Sequence, residues 1–167
     1  LLQGDVGSGK TIVAIMNMLV AIDNGCQTVL MAPTEILAEQ HFNTIKGLLK
    51  DTDLHIVQLL GGQSKKIRAN ILEEIASGKA NIIVGTHALF ENDIEYNKLG
   101  FVIIDEQHRF GVAQRANLKK LAQSSFRSAD LSPHILVMSA TPIPRTLSLT
   151  LYGDLDVSII KEMPKNR

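Results

Sequence analysis

The sequence has a single cysteine, no net charge and no long apolar run, and each of these removes a class of function. Cys26 has no second cysteine to pair with, so the chain is not a cystine scaffold. It stands just ahead of an apolar stretch, and the expectation is an inert core thiol. Seventeen Lys and Arg residues balance seventeen Asp and Glu. That excludes a uniformly basic nucleic-acid platform, so any contact with DNA has to come from local geometry. No apolar segment reaches membrane-spanning length and no signal peptide is evident; the expectation is a soluble, intracellular protein with no membrane partner. Internal repeats, linkers and low-complexity segments are also missing. The chain has no initiator Met, and the strand before its first motif is reduced to Leu1-Leu2-Gln3, so a piece of a longer protein is expected. What is there is 167 residues, 45% hydrophobic and 20% charged, enough for one globular domain with a full core.

Apolar patterning divides the chain into alternating elements. Strands are expected at Gln27–Met31, His55–Leu60, Asn81–Val84, Phe101–Ile104, His134–Met138 and Val157–Ile160. Each reads as a continuous apolar run rather than an alternating one, which implies that both faces of the sheet are covered. Helices are expected from Thr11 to about Asn24, from a Thr34 cap to about Lys50, from a Ser64 cap to Ala76, over 112–122, and near 144–151. The first of these is apolar nearly all round and stops at Gly25. Strands alternating with helices imply an α/β fold: a doubly wound, mostly parallel sheet with helices on both faces. Ligands of such sheets bind beyond the carboxyl ends of the strands. Five chemically suggestive stretches fall at such ends: Gly4–Thr11, Ala32–Glu35, Gly85–His87, Asp105–His108 and Ser139–Thr141.

Gly4-Asp5-Val6-Gly7-Ser8-Gly9-Lys10-Thr11 fits G-x-x-x-x-G-K-[ST] at every fixed position, the pattern of a phosphate loop. Glycines let the backbone wrap a polyphosphate so that successive N–H groups point at its oxygens. The helix that follows adds the positive end of its dipole. In that role Lys10 reaches the β- and γ-phosphates of ATP and the Thr11 hydroxyl ligates Mg²⁺. Asp105 closes an apolar strand, where it can hold the same Mg²⁺ through its water shell. Glu106, turned to the other side, can polarise the attacking water. Catalysis is thereby assigned to Glu106, Asp105 and Lys10. Gln107 and His108 suit a hydrogen-bonding relay better than a metal site, because no Cys/His cluster accompanies them. Ser139 and Thr141 could bond the His108 region and report nucleotide state, or could simply cap a turn. Pro33, Thr34 and Thr86 lie at a rim suited either to the phosphates of a nucleic-acid backbone or to ordinary turns. His41, His55 and His134 are scattered and carry no assigned function.

These motifs, in this order, resemble those of superfamily 2 helicases and translocases. Gly4–Thr11 is similar to motif I, Ala32–Glu35 to motif Ia, and Gly85–Leu89 to a GTHAL segment. Asp105-Glu106-Gln107-His108 is similar to a DExH motif II and Ser139–Thr141 to motif III. The longer strings Gly4–Thr11, Asp105–Val112, Met138–Leu147 and Tyr152–Asp156 resemble the RecG family of bacterial ATP-dependent DNA helicases. The transcription-repair coupling factor translocases share the phosphate loop and ATPIPRTL but resemble DEEH at motif II, so Gln107 and Ser8 favour the RecG family.

The resemblance implies a RecA-like ATP-binding domain of a bacterial, cytoplasmic, monomeric motor. Its work would be remodelling branched or double-stranded DNA at stalled forks and Holliday junctions, with ATP and Mg²⁺ as cofactors. By the same resemblance Pro33, Thr34 and Thr86 touch the DNA backbone, while Gln107, His108, Ser139 and Thr141 couple it to the nucleotide. The family's wedge domain and its second RecA-like domain, which supplies arginine fingers in cis, are not in this sequence; Lys165-Asn166-Arg167 is similar to the start of the connection to the latter. An arginine finger is worth about 10³–10⁵ in rate, so the chain alone should bind nucleotide but hydrolyse little and unwind nothing. Two other readings compete. A small-molecule P-loop kinase or NTPase leaves Asp105–His108 and Ser139–Thr141 unexplained, and a non-catalytic nucleic-acid module sits poorly with the intact carboxylate pair and the neutral charge.

Overall fold

The computed structural model describes residues 1–91, 93–106, 133–140 and 156–161. The helices expected over 112–122 and 144–151 lie outside them.

Seven strands form one sheet. β1 is Leu2–Gly4, β2 Gln27–Met31, β3 Ile56–Leu59, β4 Ile82–Gly85, β5 Leu99–Asp105, β6 His134–Ser139 and β7 Ser158–Ile160. Their order across the sheet is β3-β4-β2-β5-β6-β1-β7, and all six pairings are parallel. Three helices follow the first three strands: α1 Lys10–Asp23, α2 Glu35–Leu48 and α3 Lys65–Ala76. A short 3₁₀ turn over His87–Phe90, not anticipated from the sequence, follows β4.

The central strands are buried throughout. Every residue of β2 and β4 is enclosed, which a sheet covered on both faces requires. Successive side chains leave opposite faces, so the sheet supports two cores. On one face Leu2, Leu30, Ile82, Val84, Ile103 and Met138 pack with Ala14, Ile15 and Met18 of α1 and Ala38 and Ile45 of α2. On the other, Val29, Met31, Val57, Leu59, Ile83, Val102 and Ile104 pack with Ile75 of α3 and with Ala88, Leu89 and Tyr96. One buried polar residue ties the amino-terminal edge together. Gln27 Nε2 donates to the carbonyls of Ile75 (3.0 Å) and Ala80 (2.8 Å), and its Oε1 accepts from the amides of Asn97 (2.8 Å) and Lys98 (3.3 Å). Every hydrogen-bonding valence of that amide is met, which is what makes its burial tolerable.

Two expectations, for β3 and for Cys26, need correction. The edge strand β3 alternates, with Val57 and Leu59 inside and Ile56 and Gln58 half-buried, because at the edge of the sheet the face carrying Ile56 and Gln58 is only partly covered. α1 is the expected helix, with Ala14, Ile15 and Met18 buried and Ile12, Met16 and Val20 exposed; a helix lying on a sheet buries one stripe, whatever its far side carries. Cys26 is not a core thiol. It is half-buried and packs on Gly100, where an added Cβ would come within 2.7 Å of its Sγ. α2 ends at Leu48, close to the expected end at about Lys50.

Candidate nucleotide and DNA site

Strand order assembles the candidate site. Gly4 ends β1, Ser139 ends β6 and Asp105 ends β5, and these three strands are neighbours in the order β5-β6-β1. The phosphate loop and the carboxylate pair therefore open on the same rim, two strands apart, or about 10 Å at the usual interstrand spacing. Ser139 lies between them.

The loop from Gly4 into α1 is shaped by its glycines. Gly9 is the N-cap of α1 and has φ 94°, the left-handed region, and no side chain caps the helix there. A Cβ at Gly9 would meet nothing within 4 Å, so the requirement at this position is backbone conformation alone. Gly4 is constrained by space instead: a Cβ there would stand 2.5 Å from Ser8 Oγ. That hydroxyl is buried without a hydrogen-bond partner among the described residues. Lys10 folds back over the loop, its Nζ donating to the carbonyls of Gly4 (2.6 Å) and Asp5 (2.9 Å). No acidic side chain occupies the first turn of α1. An uncapped helix start, a cation held above it and no internal anion fit the polyphosphate of a nucleotide. Asp5, Val6 and Gly7 form the exposed outer arc of the loop, and Thr11 follows Lys10 half-buried.

The carboxylates point different ways. Asp105 is 9% exposed, and its Oδ2 lies 2.7 Å from Nε2 of His41 on α2. Glu106 adopts φ 50°, the one non-glycine residue in the left-handed region among the described residues. Strain of this kind persists only where surrounding contacts hold it, and two are present. Glu106 N donates to the carbonyl of Met138 (3.0 Å), and Oε1 accepts from the amide of Ala140 (2.8 Å). The ends of β5 and β6 are thus linked through Glu106. Among the described residues no three His, Cys, Asp or Glu side chains converge to hold a metal. Mg²⁺ fits Thr11 and Asp105 only in its usual manner, with phosphates and waters completing the shell.

The rim residues divide. Thr34 is exposed and caps α2, its Oγ1 accepting from Leu37 N at 3.3 Å; Pro33 beside it is half-buried. Thr86 is 2% exposed and its hydroxyl is enclosed without a partner. A side-chain contact from Thr86 to a DNA backbone is therefore closed off in this conformation, because β4 runs straight into the 3₁₀ turn and draws the residue inward. The rim also includes the exposed Gly61 and Gly62 of the β3–α3 turn and the exposed Lys65 and Lys66 at the start of α3. Gln107, His108 and Thr141 lie outside the described residues, so the relay assigned to them does too.

With this geometry in view, comparison decides the family. The DEAD/DEAH box helicase model matches residues 1–150. The chain belongs to the DEAD/DEAH box helicase family. Over its full length it is 53% identical to the ATP-dependent DNA helicase RecG of Haemophilus influenzae, of which it spans 24%, and 50% identical to that of Aquifex aeolicus, of which it spans 20%. The structure of RecG bound to a three-way DNA junction superposes with a TM-score of 0.79 at 40% identity, over 99% of this chain and 21% of that one. The chain thus spans about a quarter or less of the length of these relatives.

Two contacts were beyond sequence reasoning. His41 carried no assignment, although its place three residues after Ala38 and four before Ile45 turns it inward; its partner lies 64 residues away. The Ala140 amide has no side-chain signature at all.

Proposed function

We propose that this chain is the ATP-binding motor domain of a helicase or translocase that remodels branched DNA. The observation that carries the reading is the uncapped start of α1 beneath Lys10, two strands from the Asp105–Glu106 pair. Lys10 and the loop amides from Gly7 to Thr11 bind and orient the β- and γ-phosphates. Thr11 and Asp105 hold Mg²⁺, and Glu106 takes the proton of the attacking water. Bound Mg-ATP supplies the phosphoanhydride bond and the cation that neutralises the developing charge. Glu106 reaches the Ala140 amide next to Ser139, so a change in its partners at the nucleotide is passed to the end of β6. The rim at Pro33 and Thr34 tracks a DNA backbone without reading sequence.

The DNA assignment is supported by the RecG relative's complex with a three-way junction. By the same analogy a second RecA-like domain supplies the arginine finger, in a monomeric protein of the bacterial cytoplasm. Titration calorimetry with Mg-ADP, beside Lys10→Ala, tests the core of the proposal. Binding by the native chain and a marked weakening in the variant are expected. Equal behaviour of the two would sink the phosphate-loop assignment.

A further inference from the structure

α2 joins two places that the sequence keeps apart. It starts at Thr34 on the rim and runs down over the sheet to His41, which meets the carboxylate of Asp105. The imidazole Nε2 is 2.7 Å from Oδ2, and the two side chains are only 14% and 12% exposed. An ionised carboxylate can only accept, so Nε2 carries the hydrogen and donates it. Side-chain pairs in open solvent contribute little, whereas enclosure of this one makes its geometry persistent. The helix that delivers the imidazole is itself fixed: Ala38 and Ile45, on the same face, are both fully buried. Seven residues, about 10 Å of helix, separate Thr34 from His41. Thr34 is bonded into that helix twice, through Oγ1 to Leu37 N (3.3 Å) and through its carbonyl to Ala38 N (3.0 Å).

We propose that His41 is a positioning residue that pins one oxygen of Asp105 and ties it to α2, so that the rim at Thr34 and the nucleotide site move together. The inference deepens the function proposed above and rests on it. A carboxylate free to turn about its Cβ–Cγ bond can present either oxygen; one pinned at Oδ2 keeps Oδ1 in a fixed orientation. A displacement imposed on the first turn of α2 then also reorients Asp105. Because coupling is reciprocal, Mg-nucleotide shifts the affinity for DNA by the same factor as DNA shifts that for Mg-nucleotide.

The test uses the full-length protein as wild type, His41→Ala and His41→Gln. Affinity for a fluorescent ADP is measured in EDTA, in Mg²⁺, and in Mg²⁺ with a forked DNA duplex. His41→Ala is expected to match wild type in EDTA and to lose about tenfold or more of the affinity that Mg²⁺ adds, the usual cost of removing a group that orients a metal ligand. The change in affinity on adding DNA should shrink toward none. Gln, whose amide can donate from nearly the Nε2 position, should restore part of both. An unchanged Mg²⁺ increment in His41→Ala would overturn the proposal. So would an equal loss in EDTA and Mg²⁺, which would make the histidine structural only. A wild type that gains affinity from Mg²⁺ but ignores DNA would sever the link to the rim while leaving the nucleotide site standing. A wild type indifferent to Mg²⁺ would remove the nucleotide reading and this inference with it.

Discussion

α1, α2 and α3 all begin at the carboxyl edge of the sheet, but they finish their first turns differently. Thr34 accepts from Leu37 N at the head of α2, and Ser64 accepts from Ile67 N at the head of α3. Each side chain satisfies an amide that the helix cannot. α1 has Gly9 in that position, left-handed and without a capping side chain. The difference supports the proposal that α1 keeps its amides for something outside the chain. Two helices are completed by their own sequence; the third is left open to an anion, with a lysine bent over it.

Breaking the chemistry without touching the open end should give the largest effect. Glu106→Gln in the full-length protein is expected to lower DNA-stimulated ATP turnover by about 10²–10⁴-fold, the usual contribution of a general base. Mg-ADP affinity by calorimetry should change little. A variant with near-normal turnover would move the base elsewhere.

Removing the cation over α1 comes next. Lys10→Ala should weaken Mg-ADP by about 10–100-fold, the range for a charged hydrogen bond, with the thermal midpoint nearly unmoved. A variant that binds normally would mean that the open helix end is not the anion site.

The face of the sheet that carries α3 supplies a contrast. Tyr96 is buried and donates to the carbonyl of Leu89 (2.9 Å), and burial pushes its phenol well above the usual value. A raised native pKa means that this stabilisation is complete below the unfolded value, about pH 10, and is lost as pH rises toward the native one. Tyr96→Phe should cost about 1–3 kcal/mol at neutral pH, by leaving the Leu89 carbonyl unpaired, and should flatten the decline above pH 10. Urea unfolding at pH 7 and 10.5 would show it; an unaltered alkaline slope would place the titration elsewhere.

Smallest is the closed end itself. Ser64→Ala should destabilise by about 1 kcal/mol, the ordinary cost of a lost cap, and leave Mg-ADP affinity unchanged. If nucleotide affinity fell as well, the separation between open and closed helix ends would fail.

Much of this architecture was readable in advance. The β2 boundaries, the caps at Thr34 and Ser64, and the end of α3 at Ala76 follow from β-branched runs, hydroxyls ahead of apolar periodicity, and a terminating Ser-Gly. These are local preferences, set within a few residues of the position concerned. The backbone of the Gly4–Thr11 loop was readable for the same reason, since the left-handed conformations at Gly7 and Gly9 depend on its own glycines. The exposure of Ile12, Met16 and Val20, the alternation of β3, the half-exposed Cys26 and the enclosed Thr86 were not readable. Each depends on which neighbour the sheet provides, and apolar or polar character alone does not name that neighbour.

By itself, then, the sequence determined most of the described strands and helices and their parallel arrangement, and it singled out the residues proposed to handle phosphate and Mg²⁺. Hydrophobic period, capping chemistry and glycine conformation are all local properties. Only the tertiary structure decided that β6 separates β1 from β5, that Glu106 reaches the Ala140 amide, and that His41 reaches Asp105 across 64 residues. Those contacts are products of strand order, and strand order is settled by how seven strands bury two apolar faces at once, which no single stretch of the chain encodes.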